Sequence, residues 1–260
     1  MSPERKKYLK KIKNEKILVL TFRLLIIISF ILTWELLVRF RIINSFLTSS
    51  PTDIINTTYK LLVDGTLLNH ITVTMYEIII SFIISFLISF IVATIMYFIP
   101  IISKIIDPYL TILNSLPKVA LGPLIIIWAG AGIKSIIIMG LLISIFVTTI
   151  NIYTSFINTD EKYINLMKTF HSNKKNIFLK VIIPSNYKNI ISTLKINLSM
   201  NFIGVIMGEL LVSKKGLGYL ITYGSSVFHI NLVITSIVIL CIMSYLLYSL
   251  VEYLSKKNIH

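Results

Sequence analysis

The ionisable side chains Glu35, Lys118 and Glu209 stand inside long apolar runs of this 260-residue chain. A charge in hydrocarbon is costly, so each such residue is a candidate for handling a solute or an ion. Lys118 directly follows Pro117. A proline removes a backbone donor inside a helix and leaves nearby carbonyls free to face a cavity. Lys118 therefore lines a wet cavity, pairs with a carboxylate, or snorkels through the break. Glu35 and Glu209 lie near the ends of their runs, where simply reaching the interface is the alternative. Two stripes accompany these charges. Glu77, Ser81, Ser85, Ser89 and Ala93 recur every four residues, and Asn197, Asn201, Gly204 and Gly208 follow at intervals of four, three and four. Small and polar residues at that spacing let membrane helices approach closely. The first stripe reads as packing. The second reads equally as packing or as the wall of a pore. The candidate pathway-lining residues are Glu35, Pro117, Lys118, Asn197, Asn201, Gly204, Gly208 and Glu209.

Other chemistry lacks its residues. The nearest string to a phosphate-binding loop, Gly130-Ala131-Gly132-Ile133-Lys134-Ser135, has no glycine immediately before its lysine and joins two apolar runs. His70, His171, His229 and His260 are scattered without ligand spacing, so no metal site is expected. No nucleophile stands with its base, and no catalytic residue is expected. Cys241 is the lone cysteine and can form no internal disulfide.

The elements that must carry these residues follow from hydropathy. The chain is 55% hydrophobic and only 14% charged, with a mean hydropathy of +0.85 and a net charge of +14. That profile argues against a soluble enzyme, a disordered tail and a disulfide-stapled secreted domain. A basic nucleic-acid binder is excluded as well, because its charges would share a surface with very long apolar runs. A membrane helix needs about 20 apolar residues. Six segments qualify, near 17–38, 73–98, 105–128, 135–156, 190–212 and 232–253. Pro117 and Pro123 interrupt the third. The expectation is an all-α membrane protein with six transmembrane helices, forming one domain over residues 1–260.

Basic residues set the orientation. Arg5, Lys6, Lys7, Lys10, Lys11, Lys13 and Lys16 precede the first span, and Lys162, Lys168, Lys174, Lys175, Lys180 and Lys188 lie between the fourth and fifth. Both termini are therefore expected in the cytoplasm. The N-terminal block controls topology, with contact to anionic lipid as a second use. A cleaved signal is not expected, because the first run is too long and no small-residue site follows it. Between the first two spans, Ser50, Pro51 and Thr52 start an amphipathic surface helix that Asp64-Gly65 stops.

The basic stretch from about residue 157 to 190 is long for a connector. Asp160-Glu161 starts one amphipathic helix carrying Ile164, Met167 and Phe170. A turn follows at His171-Ser172-Asn173. A second helix carries Ile177, Phe178 and Val181 until Pro184 ends it. Such a pair either lies on the membrane surface or docks a cytoplasmic partner.

The segment NIFLKVIIPSNYKNIISTLKINLSMNFIGVIMGELL resembles the cytoplasmic coupling loop and following span of ABC importer permeases. The family pattern there is Glu-Ala-Ala, three residues, Gly, nine residues, Ile, one residue, Leu-Pro. With the proline at Pro184, Ile183 takes the leucine position, Val181 the isoleucine and His171 the glycine. Asn165, Leu166 and Met167 fall on Glu-Ala-Ala, so the acidic residue and the glycine are replaced. WELLVRFRIINSFLTSSP, NSLPKVALGPLIIIWAGAGIKS and GELLVSKKGLGYLI resemble the subclass serving nitrate, sulfonate, taurine and thiamine-pyrimidine precursors.

The resemblance implies a permease subunit that binds no cofactor itself and works in the bacterial inner membrane. It also implies a second permease copy, an extracytoplasmic solute-binding protein and a cytoplasmic ATPase subunit that uses ATP. The coupling loop, with Asn165, Leu166, Met167, His171, Ile177, Phe178, Val181, Ile183 and Pro184, would meet the ATPase. The competing readings are an ion-coupled secondary carrier, for which no acidic relay or inverted repeat is visible, and a non-transporting membrane scaffold.

Overall fold

The computed structural model describes the backbone of residues 3–257 and the side chains of residue 8 and residues 11–255. The side chains of Arg5, Lys6, Lys7, Lys10, Lys256 and Lys257, and all of His260, lie outside the described residues. The described chain is helical throughout, with no strand among its elements.

Helix α1 (Pro3–Arg39) leads through the short α2 (Ser45–Thr48) to α3 (Pro51–Val63). The bounds of α3 are those its caps dictate. The Ser50 hydroxyl accepts from the Asp53 N–H, Pro51 sits where no amide donor is required, and Asp64 ends the helix before Gly65 at φ +69°. Helix α4 (Thr66–Phe98) begins two turns earlier than its apolar run.

The third expected span is not one helix. Helix α5 (Pro100–Ser115) stops at Leu116, a 3₁₀ turn covers Lys118–Leu121, and α6 (Gly122–Ala129) leaves at 87° to α5. Pro117 makes this break. Pro123 does not interrupt anything, because it occupies the first turn of α6, where its missing N–H costs nothing.

Helix α7 (Ile133–Ile157) precedes the basic loop. There α8 (Glu161–Thr169) is capped by the Asp160 carboxylate, which accepts from the Lys162 N–H. Helix α9 (Lys174–Ile177) then widens into a π turn at Phe178–Ile182 and continues as α10 (Ile183–Ser185). Pro184 was expected to end this helix and instead lies within it. It cannot donate to the Lys180 carbonyl and its ring crowds that group, and the π turn immediately before it relaxes the register. Helix α11 (Tyr187–Val212), α12 (Leu217–Ser226) and α13 (Ile230–Lys257) complete the chain. Helix α12 has no counterpart among the six apolar segments of the sequence.

The centre of the fold is a seam where α7 packs along both α4 and α11. Ser81, Gly140 and Gly204 meet there. A Cβ on Gly204 would lie 2.6 Å from the Gly140 Cα, and one on Gly208 would lie 3.0 Å from the Ile136 Cα. Only hydrogen at these positions permits that approach. Helix α1 touches the rest mainly through its last turns, where the Glu35 carboxylate accepts from the Thr52 hydroxyl at 2.6 Å and the Thr52 N–H at 3.2 Å. The apolar stretch of α1 that precedes those turns is exposed.

Candidate functional site

Three places hold most of the candidate site residues. The first is the seam. Asn197 donates to Thr148 Oγ1 at 2.8 Å and to Ser85 Oγ at 3.0 Å, and Asn201 donates to Ser85 Oγ at 2.9 Å. Ser81 donates to Asn201 Oδ1, and Ser89 to the Ile145 carbonyl at 3.0 Å. All five residues of the α4 stripe are fully buried, and so are Asn197 and Asn201. The amides that could have lined a pore are therefore enclosed by their own subunit, with donors matched to acceptors. Buried amides in a membrane helix need such partners. Gly204 and Gly208 are part of the same contact, pressed on α7 rather than facing a free path.

The second place is the break after α5. Lys118 is half-buried. Its ammonium donates to Asn114 Oδ1 at 2.9 Å and to the Ile143 carbonyl at 3.4 Å, and lies 5.6 Å from the centre of the Phe146 ring. Among the described residues it has no carboxylate partner, which removes the ion-pair alternative. Pro117, at φ −70° and ψ 77°, turns the chain so that this ammonium reaches α7. The charge that does pair within a span is Lys195 of α11. It lies 3.8 Å from the Glu252 carboxylate of α13 and 5.0 Å from the Tyr248 ring centre. No sequence signal joined those residues, which are on separate helices.

The third place is the basic loop. One side of it is anchored. Ile177, Phe178 and Ile182 are buried against Ala93, Ile152 and Phe156, at the ends of α4 and α7. Phe178 meets the Tyr97, Phe98 and Phe156 rings at centroid distances of 5.2, 5.1 and 5.2 Å. Such aromatic contacts add specific geometry to area burial. The other side is free. Tyr163, Leu166 and Phe170 on and beside α8 are 56%, 55% and 71% exposed, and Asn165 lies between them. Met167, Val181 and Ile183 are half-buried, and Pro184 is exposed. His171 sits at the turn with φ +53°. It thus adopts the left-handed conformation in which glycine is the usual residue. Histidine is among the residues that tolerate this region better than most.

These features define a multi-pass membrane protein with a tight helical seam and a basic loop whose apolar face is exposed among the described residues. Residues 85–260 match the family described as binding-protein-dependent transport system inner membrane component. The chain belongs to this family of transport permeases. It is 31% identical to an ABC transporter permease protein of Haemophilus influenzae over 74% of this chain and 79% of the relative. It is 24% identical to a protein named as an aliphatic sulfonates transport permease in Bacillus subtilis, over 86% of this chain and 81% of that one. It is 26% identical to the formylaminopyrimidine transport permease of Halalkalibacterium halodurans, over 72% and 74%. Among solved structures, the MetNI methionine ABC transporter in an inward-facing conformation superposes with a TM-score of 0.68. That match has 16% identity and covers 75% of this chain and 97% of the other. At that identity the likeness speaks for the fold.

Proposed function

We propose that the chain is the permease subunit of an ATP-driven importer in a bacterial inner membrane. Two copies flank the pathway, an extracytoplasmic binding protein delivers the solute, and a cytoplasmic ATPase docks on the basic loop. The observation that carries this reading is the two-sidedness of that loop. Phe178 and Ile177 fasten it to α4 and α7, while Tyr163, Leu166 and Phe170 present an apolar knob that is exposed among the described residues. A knob rooted in the spans moves them when its partner moves. In this reading Asn165, Leu166, Met167 and His171 form the contact, and Val181, Ile183 and Pro184 carry its stem. Solute handling falls to Lys118 at the Pro117 break. The seam amides and glycines hold the helices, and Glu35 ties α1 to α3.

A cationic group at the break suits a small organic or inorganic anion, such as the sulfonates named for the Bacillus relative. A neutral solute that accepts hydrogen bonds, such as the formylaminopyrimidine of the Halalkalibacterium relative, suits it as well. The test pairs two double variants. Leu166→Asp with Phe170→Asp should leave the chain folded in the membrane but abolish copurification of the ATPase and ATP-driven uptake. Ile177→Asp with Phe178→Asp should instead lower the amount of folded chain, since it puts charge into the aromatic cluster. Unchanged uptake and copurification in the first variant would remove α8 from the mechanism.

A further inference from the structure

At the end of the seam away from the basic loop, α12 starts against three side chains from other helices. The N–H groups of Gly216, Leu217 and Gly218 are accepted by His70 Nδ1 at 2.9 Å, Thr74 Oγ1 at 2.9 Å and Glu209 Oε2 at 2.5 Å. Thr74 in turn donates to Glu209 Oε1 at 2.6 Å. Donors left open by a helix start are thereby met, and a negative carboxylate suits that end of the helix dipole. Glu209 thus accepts a hydrogen bond on each oxygen. Its neighbour Glu77 is different. Glu77 is fully buried, neither of its oxygens has a hydrogen-bond partner among the described residues, and it follows Thr74, the residue that holds Glu209, by one turn of α4, which makes it a neighbour of Glu209.

Two buried carboxylates in contact cannot both be ionised without a cation between them. The charged and titratable residues carried by the elements that meet at this end include His70 on α4, Lys134 at the start of α7, Lys214 and Lys215 before α12, Tyr219 on α12 and His229 before α13. His70 is engaged with Gly216 and stacks on Tyr219 at 5.9 Å. The lysines are exposed, and neither carboxylate has an ion-pair partner among the described residues. Space is tight as well. A Cβ on Gly218 would lie 2.6 Å from the Glu209 Cβ, and one on Gly216 would overlap its carboxyl group. A hydrated or multiply coordinated ion needs more room and more oxygens than this.

We propose that Glu77 and Glu209 hold one proton between them, and that this carboxyl–carboxylate pair latches the start of α12 onto the seam. The proton resides on Glu77, which has no other donor, and Glu77 donates it to Glu209, which is already saturated as an acceptor on its far side. No net charge is then buried beyond the one that caps α12. Loss of the proton leaves two facing anions and loosens α12 from α4. The latch is separate from ATPase docking and would exist whatever the solute.

The test uses the full chain in lipid. Infrared difference spectra between neutral and alkaline pH should show the C=O band of a protonated carboxylic acid that disappears on alkalinisation. That band should be lost in E77Q. The thermal midpoint of the wild type should fall as pH rises through the same range, whereas E77Q, with a permanent amide donor to Glu209, should keep its midpoint there. A wild type without a protonated carboxyl band at neutral pH overturns the proposal, even if E77Q fails to fold. So does an E77Q whose alkaline loss of stability matches that of the wild type.

Discussion

Asn197 of α11 donates to Thr148 of α7 at 2.8 Å and to Ser85 of α4 at 3.0 Å, so one amide joins three helices. Ser85 also accepts from Asn201. Replacing Asn197 with Leu fills a similar volume but strips these partners of a donor. A buried group left unsatisfied costs about 1–3 kcal/mol, whereas interhelical hydrogen bonds in membranes average about 0.6 kcal/mol. The shared position of Asn197 places it in the upper range. Asn197→Leu is expected to lower the thermal midpoint of the lipid-reconstituted chain, with Ser199→Ala on the exposed side of the same helix as control. Equal midpoints for the two variants would show that the amide contributes nothing to the seam.

Gly204→Ala probes the same contact by size. Its new Cβ would meet backbone, 2.6 Å from the Gly140 Cα and 2.9 Å from the Met139 carbonyl oxygen. Backbone cannot rotate away as a side-chain tip can, so α7 and α11 must separate. Overpacking of this kind costs about 1–3 kcal/mol. The expected result is reduced folded yield and a lower midpoint. Gly130→Ala, at a position where a Cβ meets nothing within 4 Å, should show only the strain of its φ of +80°.

Much of this architecture is legible in the chain itself, for reasons that are local. The bounds of α3 follow from Ser50-Pro51 and Asp64-Gly65, and the start of α8 from Asp160, because each cap is written beside the helix it ends. Helix α12 is illegible by the same logic. It is ten residues long, includes Gly218 and Gly224, and its N–H groups are capped by His70, Thr74 and Glu209 from far along the sequence. Glu77 opens the α4 stripe, yet nothing in the sequence tells that Glu209 faces it. The amides of α11 could be read either way until α4 and α7 were seen around them. Pro117 announced a break but not its angle of 87°. Pro184 was misleading, since a π turn carries the helix past it.

His171 adopts φ +53° where the family pattern has glycine. The left-handed region costs a non-glycine residue about 1–2 kcal/mol. Glycine gives back about 0.5–1 kcal/mol through the greater freedom of its unfolded chain. The difference favours the substitution, and the His171 side chain is exposed. His171→Gly is therefore expected to raise the thermal midpoint of the lipid-reconstituted chain slightly. A lower midpoint would mean that the imidazole makes a contact worth more than the strain it imposes.

Lys118 is held by one side-chain oxygen, one backbone carbonyl and the face of Phe146, all of them neutral. Lys195 in α11, by contrast, is answered by the Glu252 carboxylate. The third donor of the Lys118 ammonium has no protein acceptor among these contacts and is free for a solute. Lys118→Met keeps the length and the apolar stem while removing the charge, so the midpoint should change little. Uptake should fall at least about tenfold if one charge-assisted hydrogen bond of about 1.5–3 kcal/mol to the solute is lost. Lys118→Arg should recover part of it for an anion, because the positive charge is kept, whereas a neutral solute sized to a single ammonium should gain nothing from the larger guanidinium. Uptake by Lys118→Met at the wild-type rate, measured with the solute carried by the partner binding protein, would assign Lys118 to snorkelling at the break.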